Sequence, residues 1–208
     1  MEFWPEILTK ASWEKLVALK KEFNFILIGG WAAYLHTGLH KSKDIAIVVN
    51  YDTLKELGKK YDLVKNSRLK KYEIKFTKFD IDIYVPYFSK LVLPLEELDR
   101  HSVMIKGIRT PKPESLLMMK QDAEIDRRNS IKGEKDAIDI LTLILRTDIN
   151  WQEYLKLVKR HKKESFLKEL IFIINNFPDK NIKYLGISFI EFKKWKKKIV
   201  ALLKRLEK

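Results

Sequence analysis

The chain has 208 residues, 46% apolar and 34% charged, and carries a formal net charge of +14. That length allows one large domain or two small ones with a real core. The charge favours a polyanion such as nucleic acid, a nucleotide or an acidic membrane surface, or else a Lys-rich surface of the kind thermophiles carry. No cysteine is present, which excludes disulfides, thiolate zinc sites and cysteine nucleophiles. No stretch approaches the ~20 apolar residues of a membrane-crossing helix. The first residues, MEFWPEILTK, hold acids and a proline and do not read as a signal peptide. A cytoplasmic protein without a membrane partner is the expectation.

The region from Trp4 to Phe23 predicts a helix, with Leu16, Leu19 and Phe23 at helical spacing and Ser12 as its cap. Phe25 to Ile28 predicts a buried strand closed by Gly29-Gly30. Trp31 to Thr37 predicts a short helix stopped by Gly38. Asp44 to Val49 is a β-branched strand, and Tyr51 to Tyr61 a helix capped by Asp52. Alternation over Tyr72, Ile74 and Phe76, and again over Phe79, Ile81, Ile83 and Val85, predicts two strands; Val103 to Ile108 predicts a third. Past Pro111 and Pro113 the pattern is helical to the end, and Pro113 suits a first helical turn. The expected division is an α/β domain over residues 1–109 and a helical domain over 110–208.

From Trp151 onward there are 16 lysines and arginines against 6 acids, a net +10. The densest stretch is FKKWKKKIVALLKRLEK, where Ile199, Leu202, Leu203 and Leu206 form an apolar stripe under a cationic face. Such a helix either packs as a solvated outer element or holds an RNA or DNA backbone.

The chemistry concentrates in FILIGGWAAYLHTGLHKSKDIAIVV and, some thirty residues on, FDIDIYV. A Gly-Gly turn opening a helix can hold a phosphate on its backbone N–H groups. Asp44 stands on the next strand. Asp80 and Asp82 share one face of a later strand, while Phe79, Ile81 and Ile83 take the other. Acids converging from adjacent strands call for a hard cation such as Mg²⁺, and a pair of such ions supports phosphoryl or nucleotidyl transfer. The four histidines, His36, His40, His101 and His161, show no metal-ligand spacing. Ser42 and Ser115 lack a His–Asp partner pattern, and Met118 and Met119 read as helix packing.

In this order and spacing the chain resembles the DNA polymerase β-like nucleotidyltransferases, in particular the group of the AbiEii and MenT toxins. That group reads Gly-Gly, an Ala-containing helix, then Arg-x-Thr-Lys-Asp-h-Asp with h apolar, a third Asp on a later strand, and helices with Lys, Ala, Arg and Lys-Asp. Gly29, Gly30, Ala32 and Ala33 match the first part; Ser42 stands for the Thr, and Lys43 and Asp44 match directly. Asp82, with Asp80 as the alternative, matches the third acid. Lys120, Ala123, Arg127 or Arg128, and then Lys135, Asp136 and Asp139, match the helices.

The resemblance covers roughly residues 23–146 and implies an α+β fold. It implies a small mixed sheet with a helical C-terminal part closing a cleft. It also implies transfer of a nucleoside monophosphate from an NTP to a hydroxyl. Mg²⁺ or Mn²⁺ would be held by Asp44 and Asp82 (or Asp80); Gly29, Gly30, Ser42 and Lys43 would lie near the triphosphate; Lys120, Arg127 and Lys135 would neutralise it. A tRNA 3′ end as acceptor and an antitoxin protein as partner are the further implications.

Two positions depart from the group. His40 stands where it has Arg, and Ala46 stands where it has the second metal-binding Asp. Ala46 belongs either to a binding-only protein that kept the fold or to an enzyme silenced by substitution, and the intact surroundings favour the second. Without that acid the chain is expected to be inactive. The rival expectation is a non-catalytic nucleic-acid-binding protein. An antibiotic-modifying nucleotidyltransferase is disfavoured by the positive charge, since cationic drugs call for acidic pockets.

Overall fold

The computed structural model describes residues 2–207. The fold is α+β. A five-stranded mixed sheet has the order β1-β2-β5-β4-β3, with β1 Ile26–Ile28, β2 Ile45–Val48, β3 Val64–Asn66, β4 Lys71–Lys75 and β5 Asp80–Tyr84. Only the central β2–β5 pair is parallel; the other pairs are antiparallel.

One face of the sheet is apolar. Leu27, Ile45, Ile47, Ile81 and Ile83 are buried there with Leu16 and Leu19 of α1 (Glu6–Glu22) and Leu57 of α3 (Tyr51–Lys60). The alternation of strands makes this possible: every second residue of β2 and β5 enters that core, and Asp80, Asp82 and Tyr84 must face the other side. α2 (Gly29–Thr37) buries Trp31, Ala32, Ala33 and Leu35 in the same core, and toward the other side lie α4 (Leu95–Arg100), α5 (Pro113–Arg127) and α6 (Ile131–Arg146). Behind them come α7 (Trp151–Arg160), α8 (Phe166–Asn175), a 3₁₀ segment at Asp179–Leu185 and α9 (Phe189–Leu206). Ile26, Ile28 and Val48 of the sheet share a core with these later helices, so packing runs continuously across the Pro111–Pro113 junction. Among the described residues no helix is long and apolar enough to cross a membrane.

Four local expectations are corrected. Ser12 is not a cap but lies buried inside α1, whose N-cap is Pro5; its hydroxyl accepts from Trp31 Nε1 (3.2 Å) and lies 3.1 Å from the Ser42 carbonyl. The cap of α3 is Asn50, whose side chain accepts from Thr53 N (2.8 Å), and Asp52 falls in the first turn. The segment Val103 to Ile108 is a hairpin, β6 (Ser102–Ile105) with β7 (Ile108–Pro111). Its turn residues Lys106 and Gly107 both take positive φ, as a two-residue hairpin turn requires. In α9 the packed stripe includes Phe192 as well as Ile199 and Leu203, while Leu202 is exposed. Gly38 does stop α2, in the left-handed conformation, and Pro113 does open α5.

Candidate functional site

Between the open face of the sheet and α5–α6 lies a cleft of about 530 Å³. Its floor begins at Gly29, where φ is +70° and α2 starts without a side-chain cap. A Cβ on Gly30 would stand 2.6 Å from Ser42 Oγ. The loop carrying Ser42, Lys43 and Asp44 can therefore lie against the helix start only because that position is glycine. Ser42 Oγ donates to the Asp44 carbonyl (3.0 Å) and holds the loop in shape.

The sheet wall of the cleft is a row of register-matched residues. Ala46 of β2 lies opposite Asp82 of β5, and Asp82 lies opposite Glu73 of β4. Asp44 precedes β2 by one residue and lines the same cleft. Of the two acids on β5, Asp82 is in the cleft wall; Asp80 is outside the lining, and its backbone N–H donates to Asp44 Oδ1 (3.2 Å).

Asp44 and Asp82, the acids on the sheet wall, are both met by lysines. Lys71 Nζ bridges Asp82 Oδ1 (2.7 Å) and Glu73 Oε1 (2.9 Å). Lys132 Nζ reaches Asp44 Oδ2 (3.0 Å) from the first turn of α6. Burial raises the Asp82 carboxyl above its ordinary value, with Lys71 pulling against it. For Lys71 itself burial works against the charge, but hydrogen bonding and attraction to Asp82, helped by Glu73, raise its pKa. Burial also pushes the neighbouring Tyr84 hydroxyl up to about 12, so it is a neutral phenol at ordinary pH.

The helical wall is a buried network. Lys120 on α5 donates to Asp136 Oδ1 (2.9 Å) and Asp139 Oδ2 (2.6 Å) on α6. Lys135 donates to Asp139 Oδ1 (2.5 Å) and, at 3.4 Å, to the His40 carbonyl. Arg127 donates to Asp136 Oδ2 (2.7 Å). Burial opposes the Lys120 charge, but Asp136 and Asp139 outweigh it and hold its pKa above the lysine range. Lys135 goes the other way, because burial dominates and Lys120 adds to it against the pull of Asp139. Burial raises Asp136, yet Lys120 and Arg127 bring it below the carboxylate range.

Of the residues singled out in the sequence, Gly29, Gly30, Ser42, Lys43, Asp44, Ala46, Asp82, Lys120, Arg127 and Lys135 line this one cleft, and Asp80, Ala32, Ala33 and Arg128 do not. His40 is turned out of it, with Nε2 donating to the Tyr184 carbonyl. Burial depresses its pKa, so the ring is neutral. Sequence reading missed Lys71, Lys132, Glu73 and Tyr84. Lys132 carried a signal, since it precedes Lys135 and Asp136 by one helical turn. Lys71 carried none, because only the β4–β5 register brings it to Asp82.

A two-metal centre does not fit the residues present. Asp44 and Asp82 each already hold a lysine, and Ala46 offers no oxygen between them. Among the described residues no three His, Asp or Glu side chains come together as a metal-holding group.

Outside the cleft lining, Lys193, Lys194, Lys197 and Lys198 of α9 are all exposed. Lys193 lies over the ring of the exposed Phe189, 4.3 Å from its centroid.

The chain is similar in structure, at low sequence identity, to two solved structures. One is JHP933 from Helicobacter pylori, 18% identical, covering 96% of this chain and 98% of that one with a TM-score of 0.45. Another is an antigenic nucleotidyltransferase-like protein from Paracoccidioides brasiliensis, 17% identical, covering 79% of this chain and 90% of that one with a TM-score of 0.40. No family model matches the chain, and no curated protein is similar to it in sequence.

Proposed function

We propose that the cleft binds a nucleoside triphosphate and that the protein is a nucleotidyltransferase left without turnover by Ala46. One alignment carries the reading: Ala46 lies opposite Asp82 in the β2–β5 ladder, two residues from Asp44 and beside the Gly29 turn. The free N–H groups at the start of α2 suit a phosphate. Lys43, from the loop, adds charge beside them. An acid at position 46 would face the same space and complete the carboxylate set that Mg²⁺ or Mn²⁺ needs; the residues present do not. Transition-state stabilisation depends on that acid more than ground-state binding does. NTP binding therefore survives in the Ala46 form.

The proposed acceptor is an RNA hydroxyl at a tRNA 3′ end, with an antitoxin protein as partner, following the resemblance to the AbiEii and MenT toxins. The test uses α-labelled NTPs and a tRNA pool. The Ala46 form binds NTP and transfers no label. Ala46→Asp binds Mn²⁺ more tightly and transfers label to RNA, and adding Asp44→Ala abolishes the transfer. Absence of NTP binding at millimolar concentration would show that the cleft is assigned wrongly. A second reading, a non-catalytic nucleic-acid-binding protein, is favoured by the exposed lysines of α9. RNA affinity with no transfer by Ala46→Asp would establish it.

A further inference from the structure

We propose that Lys71 and Lys132 take the place of divalent cations, so that this cleft binds a triphosphate chain without metal. The inference rests on the reading of the cleft as an NTP site. It departs from that reading in what neutralises the acids and bridges them to the ligand.

In a carboxylate-lined phosphate site the acids and the phosphates repel one another unless cations stand between them. Here each of the two acids on the sheet wall has an ammonium at contact distance: Lys71 on Asp82 at 2.7 Å and Lys132 on Asp44 at 3.0 Å. Both lysines line the cleft. An ammonium has three protons to donate. Lys71 directs two of them to Asp82 and Glu73, and Lys132 directs one to Asp44. The remaining N–H groups can be given to phosphate oxygens without releasing the acids. Each lysine then bridges carboxylate to phosphate, the arrangement a metal ion would otherwise supply.

The row of residues across the sheet is consistent with this exchange. Relative to the resembled group, β2 lacks a carboxylate at Ala46, and the next carboxylate across the ladder from Asp82 is Glu73, on the opposite side. Lys71 sits between Asp82 and Glu73. Its side chain is 11% exposed, so it is fixed by packing. The Lys132 side chain is 53% exposed and free to adjust to a ligand. Lys120 and Lys135 are unsuited to the same role, since both are buried and committed to Asp136 and Asp139.

Calorimetric titration with ATP and with inorganic tripolyphosphate, in EDTA and again in Mg²⁺, tests the inference. Both ligands bind in EDTA, and Mg²⁺ changes Kd by less than about threefold. Lys132→Met, chosen because that side chain is largely exposed, weakens binding in EDTA about tenfold, the loss of one charge-assisted hydrogen bond. Ala46→Asp adds a carboxylate beside Asp44 and Asp82 and makes binding of both ligands depend on Mg²⁺. Binding of ATP by the Ala46 form only when Mg²⁺ is present would overturn the inference and leave the NTP site standing. An unchanged affinity of Lys132→Met in EDTA would overturn it as well. Absence of binding under both conditions would remove the NTP site and this inference together.

Discussion

The two walls of the cleft use the same residue types to opposite ends. On the helical wall, Lys120 and Lys135 are paired with Asp136 and Asp139, and the side chains of all four are no more than 6% exposed. Their donors and acceptors are taken up within the buried network, which Arg127 and the His40 carbonyl complete, and they tie α5 to α6. On the sheet wall, the lysines that meet Asp44 and Asp82 reach in from β4 and α6, and Lys132 is half in solvent. Buried ion pairs lose much of their attraction to desolvation and are costly to break, whereas solvated pairs exchange partners readily. The Lys–Asp pairs of the helical wall are therefore architecture, and the Lys132–Asp44 pair of the sheet wall is a place where a ligand can enter.

The largest effect is expected where the helical wall is broken. Asp139 accepts from both Lys120 and Lys135. Asp139→Asn leaves two buried ammoniums with the single carboxylate of Asp136 and destabilises the fold by about 3–5 kcal/mol. Urea denaturation followed by circular dichroism measures it, as a shift of the midpoint at constant slope. Lys132→Met in the sheet wall should cost less than about 1 kcal/mol in the same measurement. Equal losses at the two sites would erase the distinction between the walls.

A smaller effect concerns the charge outside the cleft. Lys193, Lys194, Lys197 and Lys198 lie on the exposed face of α9, away from the stripe of Phe192, Ile199 and Leu203. If they track an RNA backbone, each neutralised phosphate releases counterion. Replacing all four by Gln then lowers tRNA affinity and flattens the plot of log K against log salt by up to about 3. NTP affinity stays unchanged, since none of these four lysines lines that cleft. A salt slope unaffected by the four substitutions would make this face a solvated exterior only.

The order of elements around the Gly-Gly turn was legible because each carries a local signal: β-branched runs, period-two alternation, a glycine stop at Gly38, and Pro113 opening a helix. The convergence of Asp44, Ala46 and Asp82 was legible for the same reason, since alternation alone puts Asp82 opposite the core-facing Ile81 and Ile83. What was not legible is non-local. The partners of Lys120 and Lys135 follow from how α5 packs on α6, and Lys71 reaches Asp82 only through the β4–β5 register. The cap of α3 was misplaced by two residues because Asn50 and Asp52 are both good caps in sequence, and the backbone turns at Asn50. The hairpin at Lys106-Gly107 was hidden because a lysine seldom takes positive φ.

His40 joins the two walls, and its titration gives the finest test of the contrast between them. It lies in the segment that leads to Ser42, Lys43 and Asp44, and its carbonyl accepts from Lys135 of the buried network. The ring donates through Nε2 to the Tyr184 carbonyl, while Nδ1 is buried and has no hydrogen-bond partner among the described residues. Protonating Nδ1 would bury a charge with nothing to accept its proton. Burial accordingly lowers the His40 pKa. The Tyr184 carbonyl opposes that shift, the Lys135 charge adds to it, and Asp139 and Glu2 oppose it. Because the folded value lies below the ordinary 6.5, the unfolded chain takes up the proton first as pH falls. The stability contribution is complete above 6.5 and is lost as pH drops below it. Burial lowers His36 and His161 as well, so they act in the same direction. His40→Asn keeps a residue that tolerates the positive φ of this position. It should lower stability at neutral pH and reduce, without abolishing, the fall in melting temperature between about pH 7.5 and about pH 5.5. An undiminished fall in the variant would mean that His40 takes up its proton in the folded protein as readily as in the unfolded chain, and that the junction of the two walls is open to water.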